Sequence, residues 1–194
     1  MSAVERRALL VMALVVLAIA GALTAEWWLS RSPDRPFGHT QTGHVLGWGG
    51  LGLTLLVLAY PVRKRHQPGQ RWSKSLFHVH IVGGLAGPLL ILLHAGAHLH
   101  ALIPDLALLT MGLVVLSGIV GQALHALALR SMNEQRRLLI HQGLPEPEVE
   151  ARLQALAKQE ETFRLWQVIH GPLTVTFVAL ALLHIGGALY YGGV

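Results

Sequence analysis

The chain has 194 residues, of which 53% are hydrophobic and only 13% charged, and its formal net charge is +5. The length suits one domain, and the composition excludes an ordinary soluble protein. There is no cysteine, which excludes disulfides, thiolate metal sites, Cys-ligated iron–sulfur clusters and covalent c-type haem. The twelve histidines are therefore the abundant metal-binding side chains.

Five apolar stretches are long enough to cross a membrane, since about 20 such residues span a hydrocarbon core of about 30 Å. The first follows Glu-Arg-Arg, but its apolar run of about 18 residues exceeds the core of a secretory signal, so we expect a retained helix. The sequence predicts one all-α domain over residues 1–194, an integral membrane bundle of five transmembrane helices. The predicted spans are 8–28, 44–60, 77–97, 106–129 and 165–190.

Two further segments are read from their composition. Within the connector 130–164, LPEPEVEARLQALAKQ opens with prolines and acids and spaces Val149, Leu153 and Leu156 along one face, which predicts a short amphipathic helix. It is either a solvated connector or a partner-docking element. The glycine-rich GWGGLG of residues 47–52 lies inside the second span without a flanking strand, so it does not fit a dinucleotide-binding loop. These glycines favour close approach of helices or of a flat ligand.

The distribution of Lys and Arg predicts the orientation. Thirteen of the fifteen lie at the N-terminus or in the second and fourth inter-helix segments, and two lie in the first. By the positive-inside rule, the N-terminus is cytoplasmic and the C-terminus periplasmic, as in a bacterial inner-membrane protein. The basic residues are thus explained by the orientation of the chain in the membrane. We expect a lipid bilayer rather than nucleic acid as the partner. The third and fifth spans then run parallel.

Four histidines share one spacing on these two parallel spans. His80 and His94 are 14 residues apart, as are His170 and His184. At about 100° and 1.5 Å per residue, each pair lies within roughly 40° of one helix face and about 21 Å apart along the axis. We therefore expect His80 opposite His170 and His94 opposite His184. Intramembrane histidines are costly and usually functional.

Two imidazoles at each of two levels are too few for structural zinc, which usually takes four protein ligands. A haem carries its own equatorial nitrogens and needs axial ligands from the protein, so the pattern predicts two haems. Gly84 and Gly87, with Gly83, leave room for a porphyrin edge. Lys74 and Arg164 each precede the first histidine of their pair by six residues and are candidates for the propionates of the cytoplasmic-side haem.

With these four histidines and their doubled spacing, the chain resembles the dihaem transmembrane b-type cytochromes. This group includes respiratory cytochrome b and the ferric-reductase-like and hydrogenase-associated membrane cytochromes. The resemblance covers about half the chain and implies two bis-histidine haem b groups and transmembrane electron transfer, often with a quinone. No flavin or nicotinamide domain is evident, so we expect an electron-transfer subunit of an oxidoreductase complex, with other subunits as partners.

The remaining histidines have weaker expectations. His98 lies one turn beyond His94 and is a candidate for an outer propionate, for quinone protons, for replacing His94 as ligand, or for a simple cap. The other residues that compete as axial ligands are His44 and His125. We expect His78 and His100 at the interface and His39, His66 and His141 in loops. The alternative function is a His-rich metal or haem transporter, which predicts acidic residues inside the membrane, whereas Glu26 and Asp105 lie at span ends.

Overall fold

The computed structural model describes residues 3–29, 31, 37–66, 74–96, 101–158 and 161–191. These residues form six α-helices and one short 3₁₀ turn, and no strand occurs among them, which confirms the all-helical prediction. The 3₁₀ turn is Phe37–His39. The helices are α1 (Ala3–Leu29), α2 (Gln41–His66), α3 (Lys74–Ala95), α4 (Leu102–His141), α5 (Glu146–Lys158) and α6 (Glu161–Tyr190).

Four of the described helices are long and apolar enough to cross a membrane, namely α2, α3, α4 and α6. In α1 the apolar part of the described chain is Val15–Leu29, which is shorter. Many large apolar side chains are exposed, among them Leu17, Val82 and Val168. Such surfaces are typical of helices that face lipid, so the chain is an integral membrane protein.

Several helices extend beyond the predicted spans. The second span was predicted to end at residue 60, yet α2 continues through Pro61 to His66. The fourth was predicted to end at residue 129, yet α4 continues to His141. Hydropathy marks only apolar residues, whereas Arg, Glu, Gln and Leu all have high helix propensity, so a helix continues where its hydrophobicity stops. His66 and His141 are therefore helical, and His39 lies in the 3₁₀ turn, which corrects their prediction as loop residues.

The connector contains α5, a helix of 13 residues where a short helix was predicted. Val149 of α5 is completely buried, and Leu139 of α4 is also buried. The turn between these two residues contains Gly143, whose φ is +77°. An ion pair between Arg136 and Glu146 also joins α4 to α5. Leu153 is half-buried, but Leu156 is 45% exposed, so the three predicted apolar positions are not equally covered.

The helices that contain the predicted ligands are held by two different neighbours. α3 packs chiefly against α2, and α6 packs chiefly against α4. The backbones of α3 and α6 themselves hardly approach one another, although α3 also touches α1 and α4. The fold is therefore built around two helix pairs, α2/α3 and α4/α6, each with one histidine-bearing helix.

Candidate functional site: four histidines on two helices

The four predicted ligands are half-buried side chains on α3 and α6. His80 lies within electrostatic range of His170, and His44, His184 and His39 lie within electrostatic range of His94. His80 and His94 are on α3, and His170 and His184 are on α6. Each pair that the doubled spacing predicts therefore takes one imidazole from each of these two helices.

The His80 ring is anchored to α2. Its Nδ1 lies 3.0 Å from the backbone oxygen of Val57. A carbonyl oxygen only accepts hydrogen bonds, so Nδ1 carries the proton and donates it. The Tyr60 ring lies beside the imidazole, with centroids 5.3 Å apart and planes tilted by 44°. In the neutral ring, the lone pair of Nε2 is consequently left for another partner.

The His94 ring is anchored in the same way. Its Nδ1 lies 2.9 Å from the backbone oxygen of Gly43, near the start of α2. The ring lies against Gly47, where an added Cβ atom would be 2.9 Å from Cγ of the imidazole. His44 is a neighbour, with ring centroids 5.9 Å apart. Here too the carbonyl partner assigns the proton to Nδ1 and leaves Nε2 as the basic nitrogen.

His170 has a hydroxyl partner on α4. Its Nδ1 lies 2.7 Å from Oγ of Ser117, and the same Oγ lies 2.8 Å from the backbone oxygen of Val114. A serine hydroxyl has one proton, and Ser117 donates it in the hydrogen bond to the Val114 carbonyl. Oγ therefore accepts a hydrogen bond from Nδ1–H of His170. The indole of Trp166 stacks on the imidazole with centroids 4.9 Å apart and planes 20° apart.

Small residues of α4 make room for this arrangement. Nε1 of Trp166 donates to the backbone oxygen of Ser117 at 2.6 Å. A Cβ atom at Gly121 would lie 2.8 Å from that Nε1 and nearer still to two ring carbons. At Gly118 a Cβ atom would be 3.8 Å from Cε1 of His170, which is ordinary contact. Only glycine at position 121 therefore lets the indole lie flat against α4.

His184 differs from the other three. Its ring is half-buried and near His94, but among the described residues none forms a hydrogen bond with it. The neighbouring Gly186 and Gly187 face open space, because a Cβ atom at either would meet nothing within 4 Å. Three of the four predicted ligands therefore have a fixed ring orientation within the described part of the chain.

The glycines of α3 fall into two groups. A Cβ atom at Gly84 would meet nothing within 4 Å, as expected of a position that leaves room for a flat ligand. Gly87 instead lies against α2, where a Cβ atom would be 3.2 Å from Oγ1 of Thr54 and 3.3 Å from the backbone oxygen of Gly50. A Cβ atom at Gly83 would be 2.7 Å from Val57. Gly87 and Gly83 thus allow α2 to pack closely against α3.

Three predicted contacts to haem propionates remain, namely Lys74, Arg164 and His98. Arg164 is exposed at the start of α6. His98 and His100 lie outside the described residues, as does the side chain of Lys74. The structure therefore places only Arg164 of the three predicted propionate contacts.

The rival histidines occupy two different environments. His44 lies beside His94, as described above. His125 on α4 contacts the edge of Phe77 on α3, with centroids 5.5 Å apart. Phe77 is also near His78, which is exposed, and near Tyr60 at 5.9 Å. A series of ring contacts thus leads from His80 through Tyr60 and Phe77 to His125.

Two carboxylates lie at helix ends. Glu26 of α1 is only 4% exposed, and a Cβ atom at Gly96 would be 2.9 Å from its Oε1. Gly96 has a φ of +62°, so both its conformation and this contact favour glycine. Oδ1 of Asp105, in the first turn of α4, is buried without a hydrogen-bond partner among the described residues. Within the described chain, no group of three or more His, Asp or Glu is arranged to hold a metal ion.

No protein-family model, curated protein or solved structure matches this chain. The site is therefore interpreted from its own residues. The sequence analysis did not identify Ser117 and Gly121, and it did not connect Gly47 with His94. Their signal was present as small residues spaced three or four apart in the second and fourth spans, a pattern typical of close helix packing in membranes.

Proposed function

We propose that the chain is a membrane-embedded dihaem cytochrome b that carries electrons across the bilayer. The observation that supports this most is the anchoring of His80, His94 and His170 through Nδ1. A histidine that ligates a metal almost always donates its other ring N–H to a carbonyl, carboxylate or similar acceptor. Packing alone would not require three histidines to present the same nitrogen.

The donor set suits haem iron. Each level offers two imidazoles from facing helices, which is the axial set of a bis-histidine haem and is too small for a structural zinc site. A bound haem would supply an iron that alternates between ferric and ferrous states. The chain would supply His80 with His170 at one level, and His94 with His184 at the other. The open space at Gly84 is compatible with a flat group between α3 and α6.

The surrounding protein would tune both centres. A hydrogen bond donated by Nδ1–H makes the imidazole a stronger electron donor through Nε2, which favours the ferric state. Burial in apolar surroundings disfavours the added positive charge of that state. The balance would differ between levels, because Val57 and Ser117 serve one level and Gly43 serves the other.

The topology belongs to the same proposal. α1 would be a fifth span beside the four long apolar helices, and the positive-inside rule would put the N-terminus in the cytoplasm of a bacterial inner membrane. The His80 level would then be the cytoplasmic one. Lys74 and Arg164 would be available to propionates there, and His98 to a propionate or a quinone at the other side. Other subunits would bring electrons or take them away.

The test is spectroscopic. Purified protein from cells with adequate haem supply should show a b-type α band in a dithionite-reduced minus oxidised spectrum, with about two haems per chain. His80→Ala and His94→Ala should each remove about one haem. His78→Ala is the matched control, because this exposed residue of α3 lies outside both pairs. Colourless protein would contradict the proposal, and retention of both haems in either variant would contradict the ligand assignment.

The alternative of a His-rich metal or haem transporter gives the opposite result. Its histidines would act as transient way-stations, so the purified chain would hold no stoichiometric haem. Buried Glu26 is the described acidic residue that such a path would use most readily. Two results together would favour the transporter: the purified wild-type protein is colourless, and cells that express Glu26→Gln lose the divalent-metal uptake seen with wild type.

A further inference from the structure

Proline 61 interrupts the hydrogen-bond ladder of α2. Proline has no backbone N–H, so it cannot donate to the carbonyl four residues earlier. In α2 that carbonyl belongs to Val57, yet the helix continues to His66. A backbone carbonyl without a donor is costly in a membrane, where water is not available to replace it. Another donor is therefore needed at Val57.

The imidazole of His80 supplies this donor. Nδ1 of His80 lies 3.0 Å from the Val57 oxygen, and the two residues are 23 positions apart on different helices. The two features meet at one atom: the carbonyl that Pro61 leaves without its helical partner is the carbonyl that accepts from His80. The Gly43 carbonyl, which anchors His94, is different because Gly47 has an N–H four residues later.

We infer that Pro61 is a positioning residue for His80: by freeing the Val57 carbonyl, it fixes the His80 tautomer and leaves Nε2 as the ligating nitrogen. The effect of Pro61 on the His80 tautomer needs no cofactor, whereas any effect on a haem potential rests on the proposed function. Pro61 acts only through Val57 and His80 and contacts no reacting group. The hydrogen bond that Pro61 cannot make within α2 is thus replaced by the hydrogen bond that anchors His80.

The substitution that tests this is Pro61→Ala. Alanine restores an N–H that donates to Val57, so His80 must share or lose its acceptor. The bond from Nδ1 then weakens, and the imidazole becomes a poorer donor to iron. We expect the reduction equilibrium of one haem to shift about tenfold toward the ferrous form, which for one electron is about 59 mV upward. The other haem should keep its potential.

A second measurement reports the tautomer directly. The full chain is labelled with ¹⁵N-histidine and studied by NMR in lipid nanodiscs in the reduced state, and His80 is assigned by its loss in His80→Gln. Wild type should show a protonated Nδ1, and Pro61→Ala should shift that resonance. Pro88→Ala is the matched control, because it removes a proline inside α3 whose freed carbonyl belongs to Gly84. It should leave the His80 resonance unchanged.

The outcomes separate this inference from the proposed function. Haem-free protein with His80 protonated at Nδ1 would support the positioning role of Pro61 and contradict the proposed cytochrome function. Haem-loaded Pro61→Ala with both potentials and the His80 resonance unchanged would overturn the positioning role alone. Should Pro61→Ala fail to fold, the wild-type spectrum still decides, because His80 protonated at Nε2 would overturn the inference.

Discussion

The imidazole of His94 lies directly against Gly47, so closely that a Cβ atom at position 47 would be 2.9 Å from Cγ and 3.0 Å from Nδ1 of the ring. Real Cβ atoms essentially never approach a neighbour within 3.0 Å. The ring is also held by its bond to the Gly43 oxygen, one helical turn earlier on α2. The position of the His94 ring is therefore set by two glycines of another helix.

Gly47→Ala should displace His94. The added methyl group cannot coexist with the ring, so the imidazole must leave the Gly43 oxygen, at a cost of about 1–3 kcal/mol for overpacking. The expected result is loss of about one haem per chain, measured by pyridine haemochrome. Gly52→Ala is the control on the same helix, since a Cβ atom there meets nothing within 4 Å. Equal haem content in the two variants would refute the steric role of Gly47.

Gly121→Ala should disturb His170 from the other side. The methyl group would overlap the indole of Trp166, whose stacking covers His170. We expect Trp166 to move, with a shift in its fluorescence maximum and a lower midpoint of thermal unfolding. The control is Gly112→Ala on the same helix, where a Cβ atom has open space. An unchanged fluorescence spectrum in Gly121→Ala would show that the indole does not occupy this notch.

Ser117→Ala removes the acceptor of the His170 Nδ1–H while leaving the helix intact. An interhelical hydrogen bond in a membrane contributes roughly 0.6–2 kcal/mol, so the protein should still fold. If His170 ligates a haem as proposed, the potential of that haem should rise, because the imidazole becomes a weaker electron donor. Redox titration measures this. Thr110→Ala is the control, because its hydroxyl bonds to backbone oxygens of its own helix, Leu106 and Ala107.

Val149→Ala should loosen α5 from α4. Val149 is the fully buried side chain of this helix, and its truncation should cost about 2 kcal/mol from lost burial and the cavity left behind. We expect faster cleavage by protease in the turn at residues 142–145. Leu156→Ala, at a position 45% exposed, should cleave at the wild-type rate. Equal rates for both variants would mean that Val149 does not hold the two helices together.

Part of this site could be predicted from local sequence. The spacing of His80 and His94 places both on one face of any regular helix, because that depends only on helical periodicity. The roles of Gly84 and Gly87 could not be separated in this way, because both are glycines on the same helix. One faces open space and the other faces α2, which is a property of the packing.

The sequence by itself determined the helical class, the apolar stretches and the matched histidine spacing, since hydropathy and periodicity are properties of neighbouring residues. Only the tertiary structure decided which nitrogen the rings of His80, His94 and His170 present. The acceptors for His94 and His170 lie 51 and 53 residues away along the chain. No local pattern encodes such contacts, because they arise when α2 packs on α3 and α4 packs on α6. The same packing places the Val57 carbonyl, four residues before Pro61, against Nδ1 of His80.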